Sequence, residues 1–203
     1  MKQLISGALF LLASCNFAAA QALETATRMT RHQVAVQGSG IFTRKVTDSG
    51  ITYKPTSSVG GSVGYRYNLN RWLGVEADGD YFRNSQKFLI ATSSTSLRTN
   101  VYAATGAGVI NLPNPVIKRM KSYALVGGGV LVFHPRDTDL IEPQFRTAIV
   151  FGGGADIPVA PHIAVRGQVK TFMYKAPDFG LSSIRTTKYA QAMVPSVGVV
   201  FSF

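Results

Sequence analysis

Cysteine is almost absent: the 203 residues contain one, Cys15. A disulfide framework is therefore excluded, and Cys-based metal or thiol chemistry goes too if the segment holding Cys15 is removed. Charge is also scarce. Only 15% of residues are charged, against about 25% in an average soluble domain. Acidic residues are scarcest, 10 against 21 Lys and Arg, giving a formal net charge of +11. That balance invites a nucleic-acid reading, but the basic residues are dispersed. Lys118, Arg119 and Lys121 form the one short cluster, with no arginine-rich tract or aromatic RNA-binding motif, so nucleic acid is not an expected partner. Long apolar runs are missing beyond the start, although 46% of the chain is hydrophobic. Nothing after the first two dozen residues could cross a bilayer as a helix.

The start is different. Lys2 supplies a positive region, Leu4 to Leu12 an apolar one, and Ala18-Ala19-Ala20 a small-residue cleavage site. This pattern predicts a secretory signal peptide over 1–20, too short to span a bilayer. Leu12-Ala13-Ser14-Cys15 also resembles a lipobox, but the apolar stretch runs past it through Phe17, which suits ordinary cleavage better. A short N-terminal segment, 21–31, would follow.

From residue 32 the chain divides into strand-like segments separated by turn chemistry. They fall at 32–42, 58–69, 72–82, 97–110, 120–133, 144–157, 162–174 and 188–203. A tight turn at Asn70-Arg71, a two-proline turn over 111–119 and Pro158 to Pro161 make the short connections. Longer ones follow the first, third, fifth and seventh segments, including a Ser/Thr-rich loop expected over about 84–96 and loops at 134–143 and 175–187. An even number of strands with alternating long and short connections predicts one all-β domain, 32–203.

The faces of these strands decide its kind. In the last segment Met193, Pro195, Val197, Val199, Phe201 and Phe203 share one face, opposite Ala192, Val194, Ser196, Gly198, Val200 and Ser202. A soluble barrel would turn the bulky face inward and need a polar outer face. The opposite set is poorly suited to water, so the inverted arrangement fits: bulky apolar residues toward lipid, small or charged ones inside. Ten-residue strands tilted about 45° suffice to cross the hydrocarbon layer, and closure leaves no edge unpaired in lipid. The segment WLGVEADGDYF then places Glu76, Asp78 and Asp80 in the lumen. Arg66, Arg166 and Lys170 would join them, with Arg98, Arg146 and Asp156 as further candidates. Mixed signs in so narrow an interior imply an ion-paired plug, because unpaired charge there is costly. A gated, narrow ion path through the same network is the sharper alternative. The 120–133 segment is apolar on both faces and does not declare its orientation.

WLGVEADGDYF, KSYALVGGGVLVF, FGGGADIP, HIAVRGQVKTFMYKAPDF and the terminal SVGVVFSF resemble the outer-membrane β-barrel domain family. This is the eight-stranded group related to the membrane domain of outer membrane protein A. The resemblance implies an eight-stranded antiparallel up-and-down barrel in the bacterial outer membrane, with both termini periplasmic and long loops outside. It further implies insertion by the barrel assembly machinery, with Phe201 and Phe203 matching the terminal aromatic signal. Outer-membrane lipid and lipopolysaccharide phosphates become the expected counter-charges for the basic surface, and a monomer is expected. No peptidoglycan-binding domain is expected after the last strand, so cell-wall anchoring is not an expected role.

Other functions fit less well. A lipid A hydrolase needs a Ser–His arrangement, and none of His32, His134 and His162 has a serine two residues away. His32 and His162 read as rim residues and His134 as a loop residue. The three carboxylates lack the spacing of a Ca²⁺ loop and have cationic neighbours, so no metal or other cofactor is expected. Gly127–Gly129 and Gly152–Gly154 precede no helix or lysine, which leaves relief of crowding or barrel curvature rather than phosphate binding. A secreted lipocalin-like binder would show polar outer faces. The reading is a non-enzymatic, structural or surface-binding outer-membrane barrel, with a narrow porin-like channel as the alternative.

Overall fold

The computed structural model describes residues 31–48, 51–53, 55–90, 93–112, 120–136, 143–177 and 188–203. The expected signal peptide and lipobox, Lys118 and Arg119 lie outside them. The strands are β1 (His32–Thr43), β2 (Val46–Asp48), β3 (Ile51–Tyr53), β4 (Ser58–Asn68), β5 (Leu73–Ile90), β6 (Ser93–Leu112), β7 (Lys121–Pro135), β8 (Gln144–Ala160), β9 (Ile163–Lys175) and β10 (Tyr189–Ser202). Eight of them form an antiparallel ring in the order β5-β4-β1-β10-β9-β8-β7-β6, closed by β5 pairing with β6. Every backbone edge of that ring is thus paired, as the hydrocarbon layer demands. The expected up-and-down barrel is the observed one.

At one end, here the terminal end, β1 begins and β10 finishes: His32 and Phe203 exchange backbone hydrogen bonds at 3.0 and 3.1 Å. The β4–β5 turn lies at the same end. There the Asn70 Oδ1 accepts from Trp72 N at 2.7 Å and Leu73 N at 2.8 Å, so a side chain satisfies amides that no ladder reaches. The opposite end, the loop end, carries the longer connections.

Three departures from the sequence reading concern that loop end. Within the Ser/Thr-rich loop expected over about 84–96, residues 84–90 and 93–96 are strand: β5 and β6 stay in register from Asn84↔Thr99 to Ile90↔Ser93. Threonine suits a pleated strand, and beyond the bilayer polar residues are tolerated on both faces, so composition alone suggested a loop wrongly. The polar stretch after β1 holds the small hairpin β2–β3, which pairs with the extension of β5 through Tyr53↔Phe88. His134 is on β7, exposed, opposite Asn100, and not in a loop.

Two further departures shorten expected turns. Asn111 and Leu112 continue β6, and β8 runs through Pro158 to Ala160 with an irregular register there. The turn after it is only Pro161-His162.

The inverted arrangement of faces is plain on β10. Val197 is 63% exposed while Val194 and Val200 are fully buried. Outward-facing aromatics gather in two belts, Tyr65, Trp72 and Phe201 toward the terminal end and Phe42, Tyr102 and Tyr189 toward the loop end. Between them the outer surface is mostly Val, Ile, Ala and Gly, with Phe151 and Met173 among them, the girdled apolar band of a membrane barrel. The ambiguous β7 turns Tyr123, Leu125, Leu131 and Phe133 inward and Val126 and Val130 outward.

Candidate functional site

Alternation along β5 puts Gly74, Glu76, Asp78 and Asp80 on its buried face, followed by Phe82 and Asn84. On β9 the same alternation buries Arg166, Gln168 and Lys170. Strands β5 and β9 are four steps apart around the ring of eight, so they face one another across the lumen. Register brings the remaining partners alongside: Arg66 of β4 lies opposite Glu76, and Asp156 of β8 opposite Arg166.

The six expected lumen residues all meet in one layer. Arg66 Nε donates to Glu76 Oε2 at 2.6 Å. Arg166 grips Asp156 with two hydrogen bonds, Nε to Oδ1 at 2.7 Å and Nη2 to Oδ2 at 2.8 Å. This is the fork geometry that makes an arginine–carboxylate pair strong. Its Nη1 also reaches Glu76 at 3.2 Å and its Nη2 reaches Gln33 at 3.1 Å. Lys170 Nζ donates to both oxygens of Asp80 at 3.0 and 3.1 Å and lies 3.5 Å from Asp78. All the charged groups here are buried, where a charge without a partner would cost several kcal/mol.

Neutral groups complete the layer. Gln168 donates to Glu76 and accepts from Gln37, both at 3.1 Å, and Ser196 donates to Gln37 at 3.0 Å. The Tyr123 ring lies 3.8 Å from the Arg66 guanidinium carbon and 5.1 Å from that of Arg166, so one aromatic face serves two cations. Glycine makes the room. A Cβ on Gly154 would fall 2.6 Å from the Tyr123 hydroxyl, and one on Gly64 would run into the Asp78 carboxylate.

Of the further candidates, Asp156 belongs to the layer. Arg98 does not: it is exposed, on the outward phase of β6. Arg146 shares the inward phase of β8 but lies ten residues nearer the loop end than Asp156, at the level of Leu131. Sequence reasoning missed Tyr123, whose signal was its two-residue phase with Leu125 and Gly127.

The interior is not all small or charged, contrary to the expectation from alternation. Beyond Asp80 and Lys170 most inward positions become apolar, with Phe82, Val101, Leu131, Phe133, Phe172 and Tyr174 each at most 2% exposed, while Asn84, Thr99 and Arg146 share that half. Phe133 and Tyr174 pack ring to ring at 5.7 Å. A charged layer in the terminal half is thus followed by an apolar layer toward the loop end.

At the terminal rim, Phe203 stacks on His32 with ring centroids 5.7 Å apart and planes 7° apart. His32 Nδ1 is 2.7 Å from the Tyr65 hydroxyl, and His162 Nδ1 is 3.0 Å from the backbone carbonyl oxygen of Ser202.

A closed antiparallel barrel with an apolar, aromatic-girdled exterior and a charged interior defines an integral membrane barrel. The chain belongs to the outer membrane protein beta-barrel domain family, which matches residues 8–203, and its place is the bacterial outer membrane. The fold is similar to that of the outer membrane protein OprG from Pseudomonas aeruginosa: TM-score 0.62, 11% identity, covering 86% of this chain and 96% of that one. It is similar as well to Neisserial surface protein A, with TM-score 0.60, 12% identity and coverage of 85% and 97%. At such identities the likeness concerns the fold alone. No curated protein matches the sequence significantly.

Proposed function

We propose that this protein is a non-enzymatic, monomeric outer-membrane barrel whose lumen is closed to solutes and whose work is done at its outer surface. The observation that carries this reading is the succession of the two interior layers. An ion crossing the lumen would have to pass the Arg166–Asp156–Glu76 network and then shed its water among Phe133, Phe172 and Tyr174. Desolvating an ion in an apolar constriction is prohibitive unless the layer moves. The rim histidines support a role without catalysis, since His162 Nδ1 meets a backbone carbonyl rather than a serine hydroxyl.

Planar-bilayer recording tests the reading. The refolded protein, checked by a heat-dependent mobility shift in SDS, is expected to give no regular conductance steps. Uniform ohmic steps would replace it with the narrow-channel reading, which one observation favours. The charged layer holds three cations, Arg66, Arg166 and Lys170, against four carboxylates, Glu76, Asp78, Asp80 and Asp156. A passing cation would find an attractive site there.

Assembly is proposed to depend on Phe201 and Phe203, both exposed on the outward phase of β10. Through them the barrel assembly machinery would recognise the chain. Deleting Phe203 is expected to lower the folded fraction recovered from outer membranes, and normal recovery would remove the residue from that role.

A further inference from the structure

Among the described residues, part of the basic surplus stands exposed at the loop end on three adjacent strands. Arg83 on β5, Arg98 on β6, His134 on β7 and Arg136 just past the end of β7 are all exposed near the loop end. Register gathers them: Arg83 lies opposite Asn100, Asn100 opposite His134, and Arg136 N donates to Arg98 O at 2.9 Å. Immediately toward the bilayer centre, Tyr81 and Tyr102 pair at 5.1 Å, and Arg83 Nε donates to the Tyr81 hydroxyl at 3.0 Å. The cations therefore stand just above an aromatic belt, at headgroup level. Among the described residues no carboxylate points outward on these strands, because Glu76, Asp78 and Asp80 are all buried.

A second feature continues this patch into the apolar band. Below Tyr81 and Tyr102 the outward positions are Ala77 and Gly79 on β5, Ala104 and Gly106 on β6, and Gly128 on β7. A Cβ added at Gly79 or Gly106 would meet nothing within 4 Å. These small residues form a shallow trough, bordered by the exposed Val75, Val126 and Val130. Cations above a trough fit an anionic headgroup above acyl chains. Neighbouring strands lie about 4.8 Å apart, so the cations spread over roughly 10 Å, wider than one phosphate requires.

We propose that the outward face of β5, β6 and β7 binds a phosphorylated, multiply acylated glycolipid of the outer leaflet. The arginines hold its phosphates and the small-residue trough seats an acyl chain. The inference deepens the outer-surface role proposed above and rests on the loop end facing outward, but not on closure of the lumen.

The test offers the folded protein in detergent equal amounts of bisphosphorylated lipid A, dephosphorylated lipid A and phosphatidylglycerol, with native mass spectrometry reading what stays bound. Wild type is expected to retain bisphosphorylated lipid A preferentially. Arg83→Gln with Arg136→Gln should reduce that retention by about tenfold or more, the scale of losing one charged hydrogen bond. Gly106→Leu, which fills the trough and keeps every arginine, should reduce it too. Arg71→Gln, an exposed cation at the terminal end, should not. Equal retention of dephosphorylated lipid A or of phosphatidylglycerol would overturn the proposal. So would a loss no greater for the double variant than for Arg71→Gln. Retention of the SDS mobility shift confirms that each variant is folded, and conductance remains a separate readout for the lumen.

Discussion

The two halves of the barrel interior solve the same problem with opposite chemistry. In the terminal half, β5, β8 and β9, with Arg66 from β4, fill the lumen with four carboxylates and three cations joined by hydrogen bonds. In the loop-end half, the same strands fill it with Phe82, Val150 and Phe172, joined by Leu131 and Phe133 of β7. The apolar layer tolerates imprecise geometry because dispersion is non-directional, while the charged layer is stable only if every group keeps its partner. The first should therefore yield gradually to substitution, and the second sharply.

The largest effect is expected from Arg166→Ala, which leaves both Asp156 and Glu76 short of a partner in the interior. Breaking one side of a buried ion pair costs about 3–5 kcal/mol, read as a lowered unfolding midpoint in detergent. A midpoint unchanged from wild type would deny the pairing. Phe133→Ala should cost roughly 3 kcal/mol through the cavity it leaves, and it should also raise conductance if the apolar layer is the barrier. Gly154→Ala should cost about 1–3 kcal/mol, because its Cβ would run into the Gly167 carbonyl oxygen and fall 2.6 Å from the hydroxyl of Tyr123, whose ring lies against Arg66 and Arg166. The smallest effect belongs outside: Val197→Ala, on the exposed face of β10, should change stability by less than about 1 kcal/mol. A larger loss there would mean that this face packs against something other than lipid.

The same contrast governs how much the sequence disclosed. Carboxylates are rare in this chain, so three within five positions at a period of two announced a charged interior face before any strand was paired. Their partners Arg66, Arg166 and Lys170 were visible by the same alternation. What alternation cannot supply is which pairs meet. The Arg166–Asp156 fork and the Arg66–Glu76 contact come from neighbouring-strand register, and Lys170–Asp80 from closure of the ring. The apolar layer was illegible for a more basic reason. In a membrane barrel an apolar residue suits both lipid and core, so β7 reads identically whichever face is inside. Tyr123 was hidden in that ambiguity. Likewise, Ser and Thr from 93 to 96 signalled a loop where β6 only leaves the apolar band.

Charged side chains from opposite walls meet across the lumen where Lys170 Nζ reaches both oxygens of Asp80. A double-mutant cycle on Lys170→Met and Asp80→Leu, read by unfolding midpoints in detergent, tests it most directly. These residues are 90 positions apart on strands that do not pair. Each single variant should destabilise the barrel and the double variant should recover part of the loss, with a coupling of about 1–3 kcal/mol. Strict additivity of the two single losses would contradict it.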